Sequence, residues 1–232
     1  REVSDNIAHD LRTPLNRLRG RAEEALRSAQ APDEYRAALE NVIDQSDQLI
    51  RIFNALLLIA RAEAGAQRES MHEFDLAAAL RDLAELYEPA AEESGLRIEL
   101  SAPDALQFNG NRELLGQAIA NLIDNAIKYG ARSPLLDSPT APPIAVRLKQ
   151  QDGGIEISVA DGGEGIPEPD RTRVIDRFVR LESSRSKAGF GLGLSLAGAV
   201  ARLHGGDLKL EDNAPGLRAV ITLPLRSLAE LR

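Results

Sequence analysis

The spacing of apolar residues divides the chain into two parts. Over about the first 64 residues, apolar side chains recur at helical spacing in two stripes, one from Val3 to Leu26 and one from Tyr35 to Ala60. The segment from Ser28 to Pro32 interrupts them. This pattern predicts an αα-hairpin. Two amphipathic helices cannot surround a core alone, so we also expect pairing with a second copy as a four-helix bundle, that is, a homodimer.

From about Glu73 the pattern mixes helices and strands. Asp75 is a candidate N-cap for a leucine-bearing helix that is distorted or ended near Pro89 and closed by Gly95. The last predicted helix ends at His204, which we interpret as a capping or packing residue. The remaining predicted elements are a strand at 97–100, a helix at 112–129, a β-hairpin of 144–148 and 155–159, and strands near 208–210 and 219–223. Helices mixed with antiparallel strands predict a two-layer α/β sandwich.

Composition limits the chemistry. With 232 residues the chain is long enough for two modest domains. It has no cysteine, which excludes disulfides, thiolate metal sites and thiol nucleophiles and leaves histidine, carboxylates, amides and backbone. The formal net charge of −8 argues against nucleic acid as a partner.

The sequence also suggests that this segment is part of a longer protein, in which other residues precede it. No apolar run approaches the roughly 20 residues that span a bilayer, so the chain as given is expected to be soluble. The helical stripe is already present at Val3 and Ile7, with no N-cap cluster before it. We therefore expect a fragment that lacks an upstream sensor segment.

The run from His9 to Leu15 (HDLRTPL) is the first candidate for chemistry. His9 lies two residues from the apolar positions Ile7 and Leu11, so on a helix it projects to a different side. A neutral imidazole is a competent nucleophile near pH 7, and the carboxylate of Asp10 can orient it or take up its ring proton. Taken alone, an exposed histidine beside an aspartate more often has no chemical role.

The run from Asn121 to Tyr129 (NLIDNAIKY) is the second candidate. Spacings of four and three place Asn121, Asn125 and Lys128 on one face of a helix. An amide oxygen is a hard neutral ligand suited to Mg²⁺, and a lysine can offset phosphate charge. A solvated helix face explains the same residues equally well when they are considered alone.

The run from Asp161 to Pro167 (DGGEGIP) directly follows a predicted strand. A carboxylate there can accept a hydrogen bond from the exocyclic amine of adenine, and glycines let the backbone approach the flat base. Guanine presents a carbonyl oxygen instead, so such a site favours adenine. An Asp-Gly-Gly sequence by itself is more often a simple turn.

The run from Gly189 to Leu194 (GFGLGL) opens the last predicted helix. Free N–H groups at a helix N-terminus suit phosphates. The spacing does not fit the dinucleotide-binding fingerprint, because no strand and βα turn precede it. The basic, polar segment from Arg177 to Lys187 has the character of a mobile lid.

These four runs, in this order and at these distances, resemble the H, N, G1 and G2 boxes of sensor histidine kinases. The segment from Asp176 to Phe178 resembles the F box, and the segment from Ala55 to Arg61 resembles the end of the second helix in that family. The resemblance covers essentially the whole chain. It implies a dimerisation and histidine-phosphotransfer hairpin at 1–66 and an ATP-binding domain of the gyrase, chaperone and histidine-kinase type at 73–227.

The resemblance also implies roles for particular residues. His9 matches the phosphoacceptor, Asp10 its acid/base partner, and Thr13 the position needed to dephosphorylate a response regulator. Asn125 matches the Mg²⁺ ligand and Asp161 the adenine-binding carboxylate. The residues expected at the ATP site are Asn121, Asn125, Lys128, Tyr129, Asp161, Gly163, Gly165, Ile166, Arg180, Gly189, Gly191, Gly193 and Leu194.

The chain departs from the family pattern at two of these boxes. Gly162 stands where asparagine is usual, and Phe190 stands where threonine or serine is common. These departures concern the geometry of the lid and the affinity for nucleotide.

The implied activity is autophosphorylation of His9 by ATP and Mg²⁺, then phosphoryl transfer to an aspartate in the receiver domain of a response regulator, with phosphatase activity toward it. The chain as given is expected in the cytoplasm, with its parent anchored in the bacterial inner membrane through the upstream segment. Two alternatives remain. A hydrolytic ATPase of the same superfamily carries a glutamate four residues before the Mg²⁺-binding asparagine, where this chain has Asn121, which cannot act as a general base. A degenerate dimeric scaffold is disfavoured by the intact His9, Asn125 and Asp161.

Overall fold

The computed structural model describes residues 71–130, 142–151, 153–177 and 191–225, together with Val179, Leu181 and part of the segment between 15 and 57. The chain forms two compact units, Arg1–Ala60 and Arg61–Arg232. Among the described residues, no helix has the length and apolar character needed to cross a membrane.

The described residues of the first unit are helical, apart from Ala31. Residues 22–27 and 33–40 are helical, and a bend at Ala31 lies between them. Several apolar side chains of this unit are largely exposed, including Leu26 (76%), Leu39 (62%) and Ile43 (59%). The two helical stretches confirm the helices on either side of the interruption, and the described apolar side chains named above are not covered within one chain.

The described residues of the second unit form seven strands and four helices. The strands are β1 (His72–Asp75), β2 (Ile98–Ser101), β3 (Gln107–Gly110), β4 (Ile144–Gln151), β5 (Gly154–Ala160), β6 (Asp207–Asp212) and β7 (Leu217–Pro224). The helices are α1 (Leu76–Glu93), α2 (Arg112–Gly130), the short α3 (Glu168–Arg171) and α4 (Gly193–Leu203), and a 3₁₀ turn spans Arg173–Ile175.

Five strands form the main sheet in the order β2-β4-β5-β7-β6. The pairs β4-β5, β5-β7 and β7-β6 are antiparallel. Ile157 of β5, the central strand of the sheet, lies opposite Leu148 of β4 and Ile221 of β7. The pair β2-β4 is parallel. The predicted sandwich is therefore confirmed, but the expectation of antiparallel strands was wrong for β2.

Side-chain alternation along the strands gives the sheet two different faces. On β4, Val146 and Leu148 are buried whereas Arg147 and Lys149 are exposed. The buried face packs against α1, α2 and α4, and each large apolar side chain buried there stabilises the fold by about 1.5–3 kcal/mol. The three long helices consequently lie on one layer, which is the layer that carries the candidate site.

Helix α1 begins where it was predicted and continues beyond Pro89. Oδ1 of Asp75 accepts hydrogen bonds from the backbone N–H groups of Ala77 (3.0 Å) and Ala78 (3.2 Å), which confirms the N-cap. Pro89 lies inside α1 and does not end it. Gly95 follows the helix with a φ of +72°, as a C-terminal glycine should. Leu86, counted with the leucine stripe, is 70% exposed.

A separate two-stranded sheet was not predicted. Strands β1 and β3 pair antiparallel, with Phe74 opposite Phe108. The two rings meet edge to face with centroids 6.3 Å apart. This small sheet joins the start of α1 to the start of α2.

Candidate functional site

The polar face of α2 is arranged as the helical spacing predicts. Asn121, Asn125 and Lys128 are half-buried, whereas Leu122 and Ile127 on the other side are buried. Nδ2 of Asn121 donates to the carbonyl of Gln117 one turn earlier, at 2.8 Å. The Nζ atom of Lys128 lies 5.1 Å from the ring centroid of Tyr129.

The start of α4 lies against this polar face. A methyl group on Gly193 would be 3.2 Å from Nδ2 of Asn125 and 3.3 Å from Oδ1 of Asn121. The structure therefore brings together residues from two runs that are distant in sequence. Only a residue without a side chain gives α4 this approach without displacing the asparagines.

The N-terminus of α4 has the features of an anion-binding end. Gly191, two residues before the helix, has a φ of +70°, and Leu192 provides no side-chain cap. The hydroxyl of Ser195 donates to the carbonyl of Leu192 at 2.9 Å, so it does not cap the first N–H groups. Leu194, in the first turn, is half-buried. Backbone N–H groups and the positive end of the helix dipole favour a phosphate at such an end.

Asp161 closes β5 and is 7% exposed. Its Oδ1 atom accepts hydrogen bonds from the backbone N–H groups of Gly163 (2.8 Å) and Leu217 (3.3 Å). Its own backbone N–H donates to the carbonyl of Leu217 at 2.9 Å. The carboxylate is thus held in one orientation at the end of the strand.

The C-terminal end of α2 packs directly on the segment after β5. A methyl group on Gly163 would lie 2.3 Å from the carbonyl oxygen of Tyr129, and one on Gly130 would lie 3.1 Å from Cβ of Asp161. Since the first distance is far below van der Waals contact, position 163 accepts only glycine. One helix, α2, therefore contacts both Gly193 and the Asp161 segment.

Gly162, one of the departures from the family pattern, faces Pro142. A methyl group at 162 would be 1.9 Å from Cγ of Pro142. The proline ring fills the space that a side chain at 162 would occupy. This packing gives a physical reason for the glycine at this position.

The rest of the glycine-rich run is held by Gly216, directly before β7, and by Arg171. A methyl group on Gly165, which has a φ of +71°, would lie 2.7 Å from the carbonyl oxygen of Gly216. The carbonyl of Ile166 accepts a hydrogen bond from Nε of Arg171 at 2.9 Å, and Arg171 also bonds Asp212. Gly165 and Ile166 are thereby fixed beside the Asp161 segment.

Some predicted site residues lie outside the described residues. These are His9, Asp10 and Thr13 in the first unit, and Arg180, Gly189 and Phe190 in the predicted lid. Their roles stay predictions.

Asn213 was missed by the sequence analysis. Its Nδ2 atom donates to the backbone carbonyl of Asp161 at 2.7 Å. The signal was present, because the run from Asn213 to Gly216 (NAPG) between two predicted strands is typical of a turn. The turn before β7 therefore helps to hold Asp161.

Two protein families match the chain. The family described as "Histidine kinase-, DNA gyrase B-, and HSP90-like ATPase" matches residues 110–227. The family described as "His Kinase A (phospho-acceptor) domain" matches residues 1–65. Together they cover the first unit and the larger part of the second.

Individual relatives show the same likeness. The sensor-like histidine kinase SenX3 of Mycolicibacterium smegmatis is 32% identical over 227 residues, covering 97% of this chain and 57% of the relative. The structure of full-length ShkA in complex with AMPPNP is 25% identical with a TM-score of 0.70, covering 97% of this chain and 46% of that one. The structure of ThkA in complex with the response regulator TrrA is 18% identical with a TM-score of 0.69, covering 97% of this chain and 61% of that one. At this identity, the likeness shows the fold alone. The chain spans about half the length of the curated relatives it matches.

Proposed function

The chain belongs to the two-component histidine kinase family, and from this membership we propose that it uses ATP to phosphorylate His9 and then passes the phosphoryl group to an aspartate of a response regulator. One observation supports the proposal most strongly. Helix α2 contacts the glycine start of α4 through Asn121 and Asn125, and contacts the Asp161 segment through Tyr129 and Gly130. A nucleotide that lies along α2 can therefore reach both regions.

We assign the adenine end to Asp161. The carboxylate is buried and fixed by two backbone N–H donors, and carboxylate oxygens only accept hydrogen bonds. The exocyclic amine of adenine supplies the matching donor, whereas the carbonyl oxygen of guanine does not. The glycines at 162 and 163 leave the backbone accessible to a flat base.

We assign the phosphate end to α4 and the polar face of α2. The N–H groups after Gly191 and Gly193 suit the phosphates, and Lys128 offsets their charge. Asn125 fits a Mg²⁺ ligand, because its amide lies beside Gly193 and an amide oxygen is a hard neutral donor. Mg²⁺ would take its other ligands from phosphates and water and would neutralise charge on the transferred group.

The chemical step falls to His9 and Asp10, whose roles come from the sequence. A ring nitrogen of neutral His9 attacks the γ-phosphorus of ATP, the bond to the bridging oxygen breaks, ADP leaves, and Asp10 takes up the ring proton. A carboxylate of the regulator then attacks the phosphohistidine and regenerates His9. The complexes of ShkA with AMPPNP and of ThkA with a response regulator are consistent with these two half-reactions.

A dimer completes the first unit. The exposed apolar side chains of this unit, which include Leu39, Ile43 and Ile50, lie on helices that one chain leaves uncovered. A second copy that packs on them gives the four-helix bundle. The proposed homodimer is therefore supported by the same feature in the sequence and in the structure.

Two further assignments rest on the resemblance. Helical spacing would put Thr13 one turn from His9, with its hydroxyl placed to orient a water for attack on the regulator's phosphoaspartate. Loss of phosphatase activity in Thr13→Ala tests this role. The parent protein is assigned to the bacterial inner membrane with this segment in the cytoplasm, because the relatives are named as sensor proteins.

Simple ATP hydrolysis is the weaker function. The position that carries a water-activating glutamate in hydrolytic relatives is Asn121, whose Nδ2 is engaged by the carbonyl of Gln117. An amide cannot accept a proton from water at neutral pH. The acceptor of the γ-phosphoryl group is therefore a side chain of the protein.

Incubating the purified chain with γ-labelled ATP tests the proposed function. We expect label that stays on the protein, is lost in acid and survives base, as phosphohistidine does. Release of all label as free phosphate would favour hydrolysis. Absence of both label and nucleotide binding would favour the scaffold.

A further inference from the structure

His204 lies where the C-terminus of α4 meets the residue before α2. Its side chain is buried, with 5% of the residue exposed. Nδ1 is 2.8 Å from the carbonyl oxygen of Val200, and Nε2 is 3.0 Å from the backbone nitrogen of Asn111. A backbone N–H can only donate, so Nε2 is the acceptor and carries no proton. The proton of the neutral ring is therefore on Nδ1 and is donated to Val200.

Asn111 is also the start of α2. Its Oδ1 accepts from the backbone N–H of Leu114 (3.0 Å), and its carbonyl accepts from that of Leu115 (3.0 Å). These bonds fix the first turn of the helix. The hydrogen bond from Asn111 to His204 consequently ties the first turn of α2 to the last turn of α4.

The ring of His204 is also closely enclosed. Its centroid lies 6.1 Å from that of Phe108, and a methyl group on Gly110 would be 2.9 Å from its Cδ2 atom. Both neighbours belong to β3, which leads into Asn111. The ring therefore has one position available, and the hydrogen bond it accepts has a fixed direction.

Helices α2 and α4 thus meet at two places. At one, Gly193 lies against Asn121 and Asn125; at the other, His204 bonds Asn111. The distance between the two meeting points is similar on both helices. Along α4, the eleven residues from Gly193 to His204 rise about 16 Å, and along α2, the ten residues from Asn111 to Asn121 rise about 15 Å. The two helices run antiparallel and are joined at both ends of this shared length.

We propose that His204 is a positioning residue for the nucleotide site: by bonding Asn111 it sets the axial position of α2 against α4, and so the separation between Asn125 and the N-terminus of α4 that receives the phosphates. The proposal rests on the proposed function. A shift of α4 along α2 would move Gly193 away from the asparagines, whereas the packing of α2 on the Asp161 segment would not change.

Two amide substitutions separate the two bonds of the ring. In His204→Gln the amide oxygen reaches the position of Nε2 and can accept from Asn111. In His204→Asn the amide nitrogen takes the position of Nδ1 and can donate to Val200, but nothing reaches Asn111. We expect the Kd for ATP to stay within about threefold of the parent value in the glutamine variant and to rise about tenfold in the asparagine variant.

Kinetics give a readout that a purely structural role would not produce. In His204→Asn we expect a raised KM for ATP in autophosphorylation, with the rate at saturating ATP within about twofold of the parent value, because bound nucleotide restores the helix positions. His204→Leu keeps a side chain of similar volume and removes both nitrogens. It should show the same raised KM, and it replaces the asparagine variant if that protein does not fold.

Asp75→Ala is the matched control for lost stability, because alanine removes the oxygen that caps α1 and accepts from the backbone N–H of Leu106 at 3.1 Å. The residues that donate to Asp75 belong to neither α2 nor α4. Asp75→Ala should lower the unfolding temperature and leave the Kd for ATP unchanged at a temperature where all variants are folded.

The outcomes are distinct. An unchanged Kd in His204→Asn, or equal losses in the glutamine and asparagine variants, would overturn the positioning role while leaving the proposed function intact. An equal loss in Asp75→Ala would also overturn it, since destabilisation alone would then weaken binding. A parent chain that binds no ATP would overturn the proposed function itself.

Discussion

Gly193 and Asn125, separated by 68 residues in the sequence, lie so close that a methyl group on the glycine would be 3.2 Å from Nδ2 of the asparagine. This distance is tighter than ordinary van der Waals contact. The start of α4 and the polar face of α2 are therefore set against each other with no room for a side chain between them. Any group added at position 193 must displace an asparagine of the proposed phosphate end.

Gly193→Ala should therefore weaken nucleotide binding without unfolding the domain. Moving Asn125 by a few tenths of an ångström is enough to disturb the phosphate end, and we expect the Kd for ATP to rise about three- to tenfold. Gly116→Ala is the control, because Gly116 lies within α2 and a methyl group there meets nothing within 4 Å. Calorimetry should give an unchanged Kd for that control and an unfolding temperature at or above the parent value, since alanine favours helix by up to about 1 kcal/mol.

Substitutions at Gly162 and Pro142 should be strongly coupled in their effects on the free energy of unfolding. Gly162→Asn introduces the residue usual in the family, but its Cβ would overlap Cγ of Pro142, 1.9 Å away. We expect destabilisation of about 1–3 kcal/mol from this overpacking. Pro142→Ala removes Cγ and should recover much of the loss in the double variant. Chemical unfolding of the four proteins measures the coupling, and simple additivity would show that the ring of Pro142 does not block the position.

Asp161→Asn should weaken ATP binding by about 1–3 kcal/mol. Asparagine keeps one oxygen that can accept from Gly163 and Leu217, so the fold is preserved. It replaces the other oxygen with a donor, which opposes the amine of adenine. The ratio of Kd values for ATP and GTP should move toward one. If ATP binds the variant and the parent equally, Asp161 does not contact the base.

The stability of the domain should fall in mild acid because of His204. Burial holds the pKa of His204 below its usual value of 6.5, and this effect outweighs the hydrogen bond to Val200, which raises the pKa. Since the folded-state pKa lies below the unfolded one, the unfolded chain binds the proton first. The contribution of His204 to the free energy of unfolding is fully present above the unfolded pKa of about 6.5, and it is lost as the pH falls from there through the lower folded-state pKa.

Urea unfolding at pH 7.5 and pH 5.5 measures this dependence, with His204→Gln as the comparison. The parent protein should lose more free energy of unfolding between the two values than the glutamine variant, which has no titrating group at 204. Equal losses in the two proteins would mean that the ring is protonated in the folded state.

Helical spacing carried most of the correct predictions. The face of Asn121, Asn125 and Lys128 follows from spacings of three and four on one helix, so it could be derived from the local sequence. The N-cap at Asp75 is equally local. Leu86 shows the limit of this reasoning, because spacing identifies a stripe but does not say how far along the helix a neighbouring element covers it.

Features that depend on distant parts of the chain could not be derived. Strands β1 and β3 are four residues each with a single aromatic, which gives no alternation to detect. The parallel pairing of β2 depends on β4, more than 40 residues away. The close approach of Pro142 to Gly162 follows a loop whose path the sequence does not define. The bond between His204 and Asn111 is of the same kind, since it joins residues 93 apart.

The most direct measurement is autophosphorylation of His9→Gln beside the parent chain, with ATP binding measured on the same samples. His9 lies in the first unit, whereas every described residue assigned to the nucleotide lies in the second. We therefore predict an unchanged Kd for ATP in the variant, with complete loss of acid-labile label. Labelling of His9→Gln at the parent rate would contradict the assignment of His9 as the phosphoacceptor.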